Sequence, residues 1–205
     1  GHLLKKIGAL AFPGFELLDL FGPLEIFGMA KDFFQIDIIA EARGPVASNA
    51  GPVVMADAGF DSPAGYDLLL VPGGMGTRVE IANDRLLEWL KKSEAAADIV
   101  MSVCTGSALL AKAGLLAGRR ATSNKMAFDW VCSVGPGVDW VAEALWVEDG
   151  KIFTSSGVSA GMDMSLAVIA RLHGVEIARI IAIAAEYEWQ EEAGRDPFAR
   201  LHGLV

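Results

Sequence analysis

The chain has 205 residues, 53% of them hydrophobic, and a formal net charge of −9. That length fits one α/β domain with a sizeable core. The acidic balance argues against nucleic acid as a partner, because phosphate neutralisation needs a basic face.

Lys5–Phe12 is an apolar run with a charged lead-in and predicts the first strand; Pro13–Glu16 is a turn. Leu20–Phe27 predicts a helix with Pro23 in its first turn and Asp19 just before it. Gln35–Ala42 alternates as a second strand, and the Gly- and Pro-rich stretch 44–59 predicts a hairpin or meander extending the sheet. Asp61-Ser62-Pro63 is a turn, with room for a helical fragment after it. Tyr66–Val71 is a buried strand that ends in Pro72-Gly73-Gly74-Met75-Gly76. Asn83–Ala96 is the clearest helix, with an Asn cap and apolar Leu86, Leu87 and Leu90 opposite its charges.

Ile99–Val103 predicts the central strand and Ser107–Leu116 the helix after it, closed by Gly118. A short strand over Arg120–Ser123 and a short helix over Met126–Cys132 follow. Val141–Val147 and Lys151–Thr154 form a hairpin around Glu148-Asp149-Gly150. Met162–Leu172 and Val175–Trp189 are two apolar helices split by Gly174. Residues 3–190 read as a single domain and 191–205 as a polar tail that wraps the surface or frays. Buried strands alternating with helices imply a mostly parallel sheet covered on both faces, whose ligands bind at the carboxyl ends of strands.

Cys104 stands where the central strand turns sharply into a helix. That placement resembles a nucleophile elbow, and the N–H groups of the following helix are expected to make the thiol more acidic than a free cysteine. The plainer alternative is a buried structural cysteine. The two cysteines and three histidines show no Cys-x-x-Cys or His-x-x-x-His spacing, so no disulfide framework or metal site is expected. No Walker loop or G-x-G-x-x-G follows a strand, so no cofactor is expected either. No apolar run is long enough to span a bilayer, and no signal peptide is visible. The expectation is a soluble protein of a reducing cytoplasm, with no membrane partner. Gly1-His2 reads as the scar of a cleaved tag.

Four motifs in order carry a resemblance: Val71-Pro72-Gly73-Gly74, Val103-Cys104-Thr105-Gly106, Ala121-Thr122-Ser123-Asn124 and Ser156-Gly157-Val158-Ser159-Ala160-Gly161-Met162-Asp163. Together they resemble the ThiJ/PfpI superfamily over about Lys5 to Tyr187. The resemblance implies a flavodoxin-like, class I glutamine amidotransferase-like α/β sandwich and a homodimer. Phe12-Pro13-Gly14-Phe15-Glu16-Leu17-Leu18-Asp19-Leu20-Phe21-Gly22-Pro23 is similar to the isocyanide hydratase branch. That branch implies an aspartate, here Asp19, acting with the elbow cysteine and Thr105. Glu16 is the rival carboxylate, placed in the more exposed turn, and Asp19 alternatively caps the helix at Leu20.

One position departs from the protease-like and amidotransferase-like branches. Asn124 stands where they carry a histidine, and asparagine cannot accept a proton as a general base. His173, at a helix end, and His202, in the tail, are read as structural or solvated. A Cys–His dyad is therefore disfavoured. A thiolate with a carboxylate suits addition of water to a small electrophile. The isocyanide hydratase resemblance then implies that Cys104 attacks an isocyanide, that Asp19 gives general acid–base help, and that backbone N–H groups of Gly74 and Thr105 stabilise developing charge as an N-substituted formamide is released. Phe15, Leu18, Met75, Val158 and Ser159 are candidate pocket walls, although ordinary packing explains each one singly. Cys132 and the tryptophans Trp130, Trp140 and Trp146 are read as packing or dimer residues. The rivals are a glyoxalase-like aldehyde enzyme, a redox sensor at Cys104, and a ligand-sensing module of a regulator, whose basic helix-turn-helix these residues do not contain.

Overall fold

Leu68–Val71 and Ile99–Val103 are buried at every residue, which requires cover on both faces of the sheet that holds them. A computed structural model, describing residues 4–63 and 65–205, shows how that cover is built. Gly1 and His2 lie outside the described residues.

The elements run β1 (Lys5–Leu10), α1 (Leu17–Met29), β2 (Phe34–Ile39), β3 (Gly44–Ala47), β4 (Val53–Ala56), β5 (Leu68–Val71), α2 (Thr77–Glu80) and α3 (Asp84–Ala96). They continue with β6 (Ile99–Val103), α4 (Gly106–Lys112), β7 (Arg120–Ala121), α5 (Phe128–Val134), β8 (Asp139–Trp140), β9 (Trp146–Asp149) and β10 (Ile152–Ser155). The last three are α6 (Ala160–His173), α7 (Val175–Ala184) and α8 (Phe198–Leu201). The main sheet has the order β2-β1-β5-β6-β10-β9, parallel except for its edge strand β9. Helices α1, α6 and α7 pack together, α3 packs on α4, and the central β6 touches both α4 and α6. This is the mostly parallel, flavodoxin-like α/β arrangement expected from the strand pattern. Among the described residues no helix is long and apolar enough to cross a membrane.

Asn83 caps α3 as expected, its side chain accepting the N–H groups of Arg85 and Leu86. Four expectations need correction. The hairpin at 44–59 does not extend the main sheet: β3 and β4 form a separate two-stranded sheet, joined to the body by bridges from Ala58 to Ile39 and from Ser48 to Phe15. No strand covers Val141–Leu145, and the hairpin starts only at Trp146. The last long helix stops at Ala184, short of Trp189, and Glu186 then takes a left-handed φ of 49°. Helix α1 begins at Leu17, three residues before the expected start, so Asp19 lies in its first turn and does not cap it; the N-cap position is Glu16, without a side-chain cap bond. Pro23 therefore sits inside the helix, where it cannot donate to the Asp19 carbonyl. Burial of Leu20, Gly22, Pro23, Ile26 and Phe27 against the body outweighs that missing bond.

Because β1, β5, β6 and β10 are parallel neighbours, their carboxyl ends share one edge of the sheet. The turn before α1, the Pro72–Gly76 loop, the Cys104 corner and the Ser156–Ser159 loop all meet there.

Candidate active site

Cys104 has φ 58°, a left-handed value that costs a non-glycine residue about 1–3 kcal/mol. Its backbone is held on both sides. The N–H lies 3.2 Å from the carbonyls of both Ser155 and Ser156, and the carbonyl accepts Ser123 Oγ at 2.9 Å and Ser107 Oγ at 3.2 Å. Those serines come from the end of β10, the loop after β7 and the first turn of α4, so the strain is fixed by neighbouring elements and not by the corner alone.

The Pro72–Gly76 loop is pressed against this corner. A Cβ on Gly73 would stand 2.5 Å from the Thr105 nitrogen and 2.9 Å from the Cys104 Cβ, so only glycine fits. The Gly73 N–H is thereby aimed at helix α1 and donates to Asp19 Oδ2 at 3.0 Å. Asp19 is fully buried, and its Oδ1 has no hydrogen-bond partner in the protein. The Cys104 thiol is a neighbour of the same carboxyl group. Glu16, half-buried at the helix start, adds a second negative charge that both groups feel.

Electrostatics here reverse one sequence expectation. Burial pushes the Cys104 thiol up, and the facing Asp19 carboxylate pushes it further; the Thr105 N–H and the Asn124 side chain oppose this without overcoming it. The helix that was to acidify the thiol, α4, has only seven residues, and desolvation outweighs it. Burial also lifts the Asp19 carboxyl from 3.8 to about 7, against the opposing hydrogen bond from Gly73. Near neutrality the carboxyl titrates while the thiol keeps its proton.

The Thr105 hydroxyl faces the other way. It accepts the Gly74 N–H at 3.0 Å and lies 3.1 Å from Thr77 Oγ1. The Gly74 N–H is thus occupied, contrary to its expected place in an oxyanion hole. The donors that reach the sulfur are the Thr105 N–H and Asn124. Asn124 Oδ1 accepts the Ala127 N–H at 3.0 Å, which fixes the amide orientation and leaves the NH2 group for the thiol. Thr77 was missed in the sequence; only its position beside the Gly-rich loop could have suggested it.

A cavity of about 220 Å³ is lined by Asn124 together with Leu145, Gly157, Ser159, Phe198 and His202. Of the expected wall residues, Ser159 lines it. Phe15 is fully buried with its ring edge-on to Phe21, Leu18 is exposed in the first turn of α1, and Met75 is exposed in the loop before α2. Val158 is half-buried with φ 26° just before α6. His202, read from the sequence as structural or solvated, borders this cavity; nothing local in the tail sequence signals that. His173 lies against the Phe33 ring at 4.1 Å, a packing role. Cys132 is half-buried in α5, its thiol pushed up by burial. Trp130 lies under the Arg78 guanidinium, the Trp140 indole donates to the Gly135 carbonyl, and Trp146 is buried. Among the described residues no cluster of three His, Cys, Asp or Glu side chains is arranged to hold a metal ion.

Residues 5–171 match the model of the DJ-1/PfpI family. The chain belongs to that family. It is 34% identical over 184 residues to an isonitrile hydratase of Pseudomonas putida, covering 89% of this chain and 78% of the relative. It is 31% identical over 173 residues to the HTH-type transcriptional regulator CdhR of Pseudomonas aeruginosa, covering 82% of this chain but 51% of the regulator. Among solved structures, a ThiJ/PfpI family protein from Pseudomonas syringae superposes with a TM-score of 0.83 at 32% identity, covering 91% of this chain and 76% of that one. The DJ-1/PfpI family thus includes relatives named as enzymes and relatives named as regulators.

Proposed function

We propose that this DJ-1/PfpI protein is a cysteine-dependent hydratase that adds water to an isocyanide and releases an N-substituted formamide. One observation carries the reading: a fully buried aspartate with one unpartnered oxygen faces the elbow thiol, while the amide of Asn124 takes the place of a base. Similarity to the Pseudomonas putida isonitrile hydratase supports the same substrate class.

With the thiol pushed up and Asp19 near 7, the resting pair above neutrality is thiol plus carboxylate. As sulfur attacks the terminal carbon of the isocyanide, Asp19 takes the thiol proton and passes it to that carbon, giving a thioimidate. Asp19, again a carboxylate, then removes a proton from water as the water oxygen attacks the same carbon. Asp19 returns that proton to nitrogen; as the C–S bond then breaks and the carbonyl forms, the hydroxyl proton passes through Asp19 to the departing sulfur, releasing the formamide and restoring the thiol and the carboxylate. The Thr105 N–H and the Asn124 amide stabilise charge on sulfur as it leaves. No step calls for a cofactor. We take the working unit to be a homodimer, on the strength of the family resemblance.

The test is turnover of an aromatic isocyanide, followed by ultraviolet absorbance as formamide appears. Wild type should turn over and Cys104→Ala should not. Full activity in Cys104→Ala removes the nucleophile assignment. Tight binding without turnover favours a ligand-sensing module, the reading that the similarity to CdhR raises.

A further inference from the structure

The C-terminal segment is fastened beside the site, not frayed. Ala193 accepts the Leu145 N–H at 2.6 Å. Asp196 is then driven into the body, where its carboxylate lies 3.3 Å from Lys125 Nζ; the two side chains are 0% and 2% exposed. The three donors of Lys125 Nζ go to Thr122 Oγ1, the Ser123 carbonyl and the Ala144 carbonyl, at 2.8, 3.2 and 3.0 Å, so Asp196 is held as an ion pair. Asp196 Oδ1 accepts the Phe198 N–H at 2.9 Å and so starts α8. The fastening lysine is next in sequence to Asn124, whose amide touches the Cys104 thiol. Fastener, wall and thiol neighbour are therefore one connected unit.

We infer that the tail supplies the specificity wall of the site: Phe198 and His202 close the cavity that receives the substituent of the electrophile, and the Lys125–Asp196 pair positions them. This rests on the hydratase reading of Cys104. The cavity of about 220 Å³ is smaller than the ~300–1,000 Å³ of drug-sized pockets, so it fits one ring or a short branched alkyl group. Its Leu145, Ala160 and Phe198 contribute apolar surface, and Ser159 and His202 polar groups. Phe198 is 54% exposed, an apolar ring with surface left for a ligand to cover. Asn124 both lines this cavity and reaches the Cys104 thiol, so it is the link between the substituent and the reacting sulfur. Phe198 is a specificity residue, and Lys125 and Asp196 are positioning residues.

The experiment compares wild type, Phe198→Ala and Asp196→Asn on methyl, cyclohexyl, phenyl and biphenyl isocyanides. Phe198→Ala is expected to raise the biphenyl-to-phenyl ratio of kcat/KM about tenfold, with methyl isocyanide changed less than twofold. Asp196→Asn is expected to move the same ratio in the same direction, which a mere loss of folded protein cannot do. Equal changes on all substrates, or none, overturn the inference. The same proteins are alkylated at Cys104 with N-methyl and N-benzyl iodoacetamide, read by mass spectrometry. If no isocyanide turns over in wild type, the hydratase reading fails. The wall then stands if Phe198→Ala changes the benzyl-to-methyl alkylation ratio and falls if that ratio is unmoved.

Discussion

Replacing Asp19 by asparagine is expected to stabilise the protein at alkaline pH while removing its proton carrier. Burial lifts the Asp19 carboxyl from 3.8 to about 7, so between those values the folded state holds a proton that the unfolded state has lost. For a group raised in this way, stability is fullest below the unfolded value and falls as pH rises through the folded one. Ionising Asp19 in the fold thus costs about 4 kcal/mol above pH 7. Asparagine is the same size, can still accept the Gly73 N–H and never ionises. The stability difference between Asp19→Asn and wild type should widen in favour of the mutant by about 3 kcal/mol between pH 4.5 and pH 8. Urea unfolding at fixed protein concentration, at several pH values, reads this directly. A difference that stays flat with pH, or a mutant that loses ground as pH rises, refutes the burial argument for Asp19.

Three further outcomes follow from the same geometry. Removing the facing carboxylate lets the Cys104 thiol ionise more readily, so Asp19→Asn should alkylate with iodoacetamide about tenfold faster than wild type at pH 8, and Asn124→Leu, which loses a donor to the sulfur, should alkylate more slowly. In wild type, kcat/KM for an isocyanide should rise with pH through an apparent value near 7, the ionisation of Asp19 beside the thiol, and Glu16→Gln should shift that limb downward without abolishing activity. Lys125→Met leaves Asp196 buried without its partner, a loss of about 3–5 kcal/mol; Lys125→Met with Asp196→Asn should recover most of it in thermal unfolding.

Much of this molecule is legible in the sequence because the signals are local. Unbroken apolar runs mark Leu68–Val71 and Ile99–Val103 as strands buried on both faces, and parallel topology then brings their carboxyl ends to one edge. Asn83 marks its helix because a cap bonds only to its own first turn. The corner at Cys104 is visible because a strand must stop where a helix starts. The tertiary structure decided the rest. Pro23 reads locally as a helix opening, yet packing of α1 on the body starts the helix at Leu17 and turns Asp19 from a cap into a buried carboxyl. The ionisation of Cys104 follows from desolvation, a sum over all atoms around the sulfur from four separate loops, which no spacing in the chain encodes. The Gly74 N–H is taken by a hydroxyl from another loop, and Lys125 finds Asp196 only once the chain has closed over the sheet edge. Local patterns determine elements and their order; burial and long-range pairing set the charge, the donors and the walls of the site.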